Sequence, residues 1–341
     1  MNIYDVSRQA QVSIATVSRV INGNPNVSEK TRKRVLEVMD ELGYTPNIFA
    51  RSLGLNTMKT IGVMCADSSD PYLANAIYYL EQALRRNGYN SLLCCSGYLP
   101  DNKKKCLELL LSKRVDGVIL AGSQYIESKP QDNNYLLEAA KQLPIMLVNG
   151  ALEGKGIYST ICDDRTAIFK AANSLMISGH SHILFLYSGS SYSSIQKLKG
   201  YHDACSRAGL PHREDLICSC PKDLDETVRL LCTVAARGVL FNAVLASEDI
   251  MAVGAVKYAH RAGLSVPDDL SIIGYNNSTL ARCADPEISS IDNKVEDLCN
   301  ATVNTLMKVL EGETVPSKTV ISGELIQRGT TNFYFIRRSF Q

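Results

Sequence analysis

The alternation that begins at Thr60 constrains the fold of this chain more than any other feature. Apolar runs of strand length at 60–66, 89–95, 116–122 and 144–149 are separated by helical patterns at 72–87, 103–113 and 135–142. After a break near Gly154 and Gly156 the rhythm resumes. Strands are predicted at 182–188, 215–219, 243–247 and 270–276, and helices at 167–178, 196–208, 224–237 and 250–262. A helix at 295–310 and strands near 319–321 and 324–328 follow. Alternation of this kind predicts parallel strands joined by helical crossovers, with helices on both faces of the sheet. Two series separated by a break predict two such sheets. The expected fold class is therefore α/β, with two doubly wound parallel sheets in two lobes. The first lobe is expected at about 58–158 and 291–320, and the second at about 159–290 and 321–341. The last segment then crosses back between them.

Residues 1–56 read differently. The stretch from Ile3 to Asn22 predicts two short helices joined by a tight turn. Tyr4, Val6 and Ala10 fall at helical spacing in the first, and Val17, Val20 and Ile21 in the second. Ser13 is placed to cap the second helix. Burying one face of each leaves Ile14, Ala15, Thr16, Ser18, Arg19 and Asn22 facing outward. That set suits a helix entering the DNA major groove. Its small side chains permit close approach, Arg19 matches guanine bidentately, and the Ala15 and Thr16 methyls match thymine. A helical bundle that binds protein is the competing reading.

A third helix is predicted over 29–42, capped by Ser28, with Gly43 in the left-handed position after its end. Val35, Leu36, Met39 and Leu42 give its apolar stripe. Lys30, Arg32, Lys33 and Arg34 crowd its start. They form either a solvated face or, with Asn26, Ser28 and Thr31, a set of phosphate contacts. In TPNIFARSLGLN (45–56) Thr45 and Pro46 suit a helix start, and the helix expected over 46–54 is too short to be stable alone.

The charge distribution agrees with a basic head. Residues 1–60 hold eight Lys/Arg against five Asp/Glu, and the remainder holds 28 against 30. The whole-chain net charge of +1 identifies no partner. Eleven cysteines without a CxxC pair predict thiols in a reducing cytosol. Cys218, Cys220 and His212 match no usual zinc spacing, and neither a metal nor a cofactor is expected. No basic segment followed by an apolar run opens the chain and no stretch is long enough to span a bilayer, so a cytoplasmic protein without a membrane partner is expected. An enzyme is not expected, since no nucleophile elbow, phosphate-binding glycine loop or metal pair is present. Helix capping accounts for Asp163 and Asp164, and a strand start for His180 and His182.

With TVSRVIN (16–22) inside it, the first stretch resembles the DNA-binding headpiece of the lac and galactose repressor family of bacterial transcription regulators. GHSHILFLYSG (179–189), KLKGYHDA (197–204), DLSIIGYNN (269–277) and ELIQRGTT (324–331) are similar to recurring signatures of that family's two-lobed, periplasmic-binding-protein-like core. The resemblance runs from Ile3 to about Thr331. Gln11 departs from it, because the family often has glycine in the turn, and a small local strain is expected there.

The resemblance implies a hinge over 46–54 that becomes helical when two subunits meet on DNA. Pro46, Asn47, Ala50 and Leu53 carry the match, and Leu53 is the implied minor-groove wedge. It also implies a homodimer on double-stranded, pseudo-palindromic operator DNA. The tail lacks leucine heptads, so no coiled-coil tetramer is expected. Finally, it implies an effector at the carboxyl ends of the strands, between the lobes. Sugar- and purine-binding relatives often place an aspartate, an arginine, an asparagine and an aspartate where this chain has Asn149, Lys197, Ser247 and Asn276. With Tyr72 and Ser123 these make the candidate effector set. Amides and hydroxyls suit a polyol, and Lys197 suits a phosphate or carboxylate.

Two readings follow. A small carbohydrate-like effector, or its phosphorylated or acidic relative, binds in the cleft. Alternatively, control comes from a phosphorylated protein corepressor, as in the catabolite-control branch, which the lysine ahead of KGY and NGNPNVS (22–28) resemble. The expected function is a DNA-binding transcription regulator that represses carbohydrate-utilisation genes. A transport-type sugar-binding protein would share the body but need a signal peptide in place of the first 22 residues.

Overall fold

The computed structural model describes residues 1–21, 23–44, 57–211 and 213–333. Asn22, His212 and the expected hinge helix, with Asn47, Ala50 and Leu53, lie outside these residues. The headpiece begins with a reciprocal cap. Asn2 Oδ1 accepts from the Tyr4 and Asp5 backbone N–H groups, and Asp5 accepts from the Asn2 N–H, which starts α1 (Ile3–Ala10). The helix ends at Gln11, whose φ of 51° and ψ of 45° are left-handed. Ser13 Oγ then accepts from the Thr16 N–H at 3.2 Å to start α2 (Ile14–Ile21). Ser28 Oγ accepts from the Thr31 N–H at 3.3 Å to start α3 (Glu29–Glu41), and Gly43 beyond its end has φ 57°. Val6, Ala10, Val17, Val20, Val35 and Val38 close the small core.

Two residues expected in that core are not there. Tyr4 is 61% exposed. It lies two positions from buried Val6, which is about 200° around a helix, so the two side chains point to opposite sides. Leu36 is 49% exposed while Val38 is buried, because Val35, Val38 and Leu42 set the inward line at spacings of three and four and Leu36 sits one position off it.

The body holds two six-stranded sheets. The first contains β1 (Thr60–Cys65), β2 (Asn90–Cys95), β3 (Gly117–Ala121), β4 (Ile145–Val148), β5 (Ile157–Cys162) and β11 (Lys318–Ile321). Their order is β11-β5-β4-β3-β1-β2, all parallel. The second contains β6 (Ile183–Tyr187), β7 (Ile217–Ser219), β8 (Ala243–Ala246), β9 (Ser271–Tyr275), β10 (Ser289–Asp292) and β12 (Glu324–Ile326). Its order is β12-β10-β9-β8-β6-β7, parallel except for β12, which runs antiparallel to β10.

Helices cover both faces. Those of the first lobe are α4 (Pro71–Arg86), α5 (Pro100–Ser112), α6 (Asn134–Ala139) and the late α12 (Val295–Leu310). Those of the second are α7 (Asp164–Ile177), α8 (Tyr192–Arg207), α9 (Leu224–Ala236), α10 (Asp249–Ala262) and α11 (Thr279–Cys283). Strand alternation divides the cores. Ile183 and Phe185 of β6 pack with α7 and α8, while Leu184 and Leu186 face α9 and α10. Among the described residues no helix is long and apolar enough to cross a membrane.

The lobe boundaries need correcting. β5, absent from the sequence expectation, runs through the expected division at 158/159, and the chain leaves the first sheet only after Cys162. It returns after Asp292 rather than 290, and leaves again after Ile321 rather than 320. β5 reads IYSTIC and β10 reads SSID. Neither forms an apolar run, because both bury hydroxyl residues, Ser159 and Thr160 in β5 and Ser289 and Ser290 in β10. Ser289 pairs with Thr331 at 2.7 Å.

Candidate functional site

The headpiece presents one polar face. Ile14, Ala15 and Arg19 of α2 are exposed, Thr16 and Ser18 are half-buried, and Tyr4 stands out from neighbouring α1. Asn26 is exposed, and the Ser28 and Thr31 hydroxyls bond each other at 2.8 Å. The basic start of α3 divides by role. Arg32 donates to the Asn24 carbonyl at 2.7 Å, and Arg34 donates to Gln11 Oε1 at 3.0 Å, so these two arginines brace turns. Lys30 and Lys33 remain exposed.

The second site lies where both sheets end. In a doubly wound sheet the crevice sits at the carboxyl ends of the strands, next to the point where strand order reverses. That point falls between β1 and β3 in the first sheet and between β6 and β8 in the second. The loops beyond these ends enclose a cleft of about 820 Å³. Asp70 caps α4 by accepting from the Tyr72 and Leu73 N–H groups, and so sets Tyr72 on the cleft wall. Gly122, at φ 104°, makes the turn after β3; a Cβ there would strike Gln124 and Leu73.

Five of the six residues expected to meet an effector line this cleft: Tyr72, Ser123, Asn149, Lys197 and Asn276. Ser247 does not. It is buried, with its hydroxyl against Met251 Sδ at 3.9 Å and its carbonyl accepting from Lys197 Nζ at 2.9 Å. At the strand end its side chain turns toward α10, and only its main chain serves the site. Asn149 is left-handed at φ 59°, and its Oδ1 accepts from the Cys162 N–H at 3.0 Å. Asn276 donates to Glu248 Oε2 at 2.5 Å and accepts from Asn293 at 2.9 Å.

Asp70, Ser191 and Glu248 lie at strand ends expected to face the cleft, whereas Lys222 and Lys103 carried no signal in the sequence. Lys222 Nζ lies 3.1 Å from Asp70 of the first lobe and 3.1 Å from Glu248 of its own lobe. Partial desolvation works against this ammonium, but Glu248 and Asp70 outweigh it and push its pKa up. Ser123 Oγ donates to Ser191 Oγ at 2.9 Å, so a hydroxyl pair also joins the lobes. Lys103 is buried beside Glu127 at 2.6 Å. Behind Lys197, the Tyr275 hydroxyl donates to Asp164; burial pushes the Asp164 carboxyl up and the Lys197 ammonium offsets part of that. Burial also pushes Asp249 up to about 6, against the bonds it accepts from Ser290 and Ser278. The Tyr72 hydroxyl and the Gln124 amide nitrogen are buried with no partner among the described residues.

A three-helix headpiece with an outward arginine, followed by a two-lobed core around a polar cleft, defines a DNA-binding regulator of the helix-turn-helix type. Residues 2–47 match the bacterial regulatory proteins of the lacI family, and residues 172–331 match the periplasmic binding protein-like domain. An HTH-type transcriptional regulator of Lachnoclostridium phytofermentans is 56% identical over 98% of this chain and 100% of its own length. Catabolite control protein A of Priestia megaterium is 34% identical over 94% of this chain and 96% of its own. Among solved structures, the lac repressor bound to ONPG in its repressed state superposes with a TM-score of 0.88 at 25% identity, covering 97% of this chain and 99% of that one. The chain belongs to the lacI family of bacterial transcription regulators.

Proposed function

We propose that the protein is a cytoplasmic, homodimeric repressor of carbohydrate-utilisation genes, and that a small sugar-like effector in the cleft sets its operator affinity. The observation that carries this reading is the cleft itself. It is preformed, polar, bridged across the lobes by Lys222–Asp70 and Ser123–Ser191, and lined by Tyr72 and Gln124, whose hydroxyl and amide nitrogen are buried with no partner among the described residues. Buried polar groups without partners cost free energy, and a bound polyol supplies the missing bonds. Tyr72, Ser123, Gln124, Asn149 and Asn276 are the proposed contacts. Closure around the ligand changes the spacing of the two hinges, and so the fit of Asn47, Ala50 and Leu53 to the minor groove.

On DNA, Arg19 reads a base edge. Tyr4, Ser13, Ile14, Ala15, Thr16 and Ser18 accompany it, Asn22 is a further proposed contact, and Asn26, Ser28 and Thr31 hold phosphates. Arg19→Ala is expected to cost about 1–3 kcal/mol of discrimination between operator and scrambled duplex. Equal discrimination by the variant and the wild type removes Arg19 from base reading.

The 34% identity to Catabolite control protein A favours a second reading, in which a phosphorylated protein is the corepressor. One experiment separates the two. Operator binding is followed by fluorescence anisotropy at fixed salt, with host extract split into a small-molecule filtrate and a macromolecular retentate. A shift with filtrate supports the cleft as the effector site. A shift with retentate alone replaces it with the protein corepressor.

A further inference from the structure

Among the described residues, the cleft faces an incoming ligand with five carboxylates and three ammonium groups, and the three ammonium groups are already engaged. Lys103 lies 2.6 Å from Glu127 and donates to the Gln124 carbonyl at 2.5 Å. Lys222 lies 3.1 Å from both Asp70 and Glu248. Lys197 donates to the Ser247 carbonyl and sits 3.6 Å from the centre of the Tyr275 ring. An ammonium bonded to a carboxylate, or held by a carbonyl and an aromatic face, has little field left for a second anion.

Helix N-termini are the other kind of anion site. Among the described helices of eight residues or more, three open on the cleft; the protein's own side chains cap two of them, and at the third, α10, which has no side-chain cap, an acidic residue stands at the first position. Asp70 caps α4, and Asp249 holds the first position of α10. Ser191 caps α8 through the Ser194 N–H at 3.3 Å while also holding Ser123 across the cleft. A phosphate or carboxylate entering here meets an excess of like charge and no cation without a partner among the described residues.

We infer that the cleft excludes anions, so that the effector is an uncharged polyol without a phosphate or carboxylate. This rests on the reading of the cleft as an effector site, and it reverses the expectation that Lys197 receives a phosphate. Asp70 and Glu248 act as the filter: they hold Lys222 away from the ligand and present carboxylate oxygens that accept from its hydroxyls.

Calorimetric titration of the full-length protein with inorganic phosphate tests the filter. The basic headpiece takes phosphate too, so the readout is the part of the binding that Lys197→Met or Lys222→Met removes. Wild type is expected to show no such part. The Asp70→Asn, Glu248→Gln double variant keeps a side-chain cap on α4 and frees Lys222. It is expected to gain phosphate binding at least about tenfold above background, and Lys222→Met is expected to abolish the gain. Cleft-dependent phosphate binding by wild type overturns the inference, and so does a double variant that gains none. If the cleft is no effector site at all, operator binding ignores the filtrate whatever the phosphate titration gives, so the two failures are distinguishable.

Discussion

Two residues carry costs that a substitution measures directly. Gln11 makes the turn between α1 and α2 in a left-handed conformation that its side chain disfavours, and Arg34 steadies it with one exposed hydrogen bond. Glycine meets no such penalty. The strain relieved exceeds the bond and the chain entropy lost, so Gln11→Gly is expected to stabilise the headpiece by about 0.5–1 kcal/mol. Urea unfolding followed in the headpiece checks this, and a lower midpoint for the variant means the turn is not strained. Asp249 is the second case. Its folded pKa of about 6 lies above the ordinary 3.8, so between those values the native state holds a proton that the unfolded chain has released. Stability from this group is therefore fully present below about pH 4 and is lost as pH rises through 6, by up to roughly 3 kcal/mol. Asp249→Asn removes the titration. The stability of wild type relative to this variant is expected to rise as pH falls from 7 to 5. A pH-independent difference between the two refutes the assignment.

At the scale of elements, the packing of α7 against α8 depends on one missing side chain. Gly200 faces the Arg165 carbonyl oxygen so closely that a Cβ there would collide with it. The oxygen belongs to the main chain of α7 and has little room to yield, unlike the Leu110 side-chain tip that faces Gly62. Gly200→Ala is expected to push the helices apart and cost about 1–3 kcal/mol or more, read as a lower unfolding midpoint of the second lobe. A midpoint equal to wild type means the crossing yields to an added methyl group and does not depend on Gly200. The sequence showed that α8 exists without showing this contact. What was legible in the sequence followed from periodicity: apolar runs such as GVILA and ILFLY announced their strands, and Ser13 and Ser28 announced their helices. β5 and β10 were not legible, because IYSTIC and SSID break their apolar runs with buried hydroxyls, and those of β10 pair with residues distant in sequence. Tyr4 and Leu36 were assigned to the core on spacing alone, and only the partner helices decide which turn of the stripe is covered.

Across the whole molecule, the candidate site was legible wherever a strand end announced it, as at Tyr72, Ser123, Asn149 and Asn276. The pairing of the groups that bridge the site was not, and neither was Lys222. Lys222 and Asp70 are 152 residues apart and Ser123 and Ser191 are 68 apart, and no local pattern links them. These two contacts tie together lobes that the chain also joins at three crossovers. The Lys222 side chain is 39% exposed, so its ion pair is worth no more than about 1 kcal/mol, and the serine pair is of similar size. A lobe arrangement whose side-chain ties are this weak is one that a ligand of modest differential affinity redistributes. Replacing both ties, by Lys222→Met with Ser123→Ala, which leaves the Ser191 cap of α8 in place, is expected to enlarge the effector-free radius of gyration in small-angle scattering. The unfolding midpoints should stay close to wild type, because neither tie lies within a lobe's core. Effector-free operator affinity should shift by roughly fivefold or more, since lobe separation reaches the DNA through the hinges. Unchanged scattering and unchanged operator affinity together would show that the crossovers alone set the lobe angle, and that the latch carries no signal.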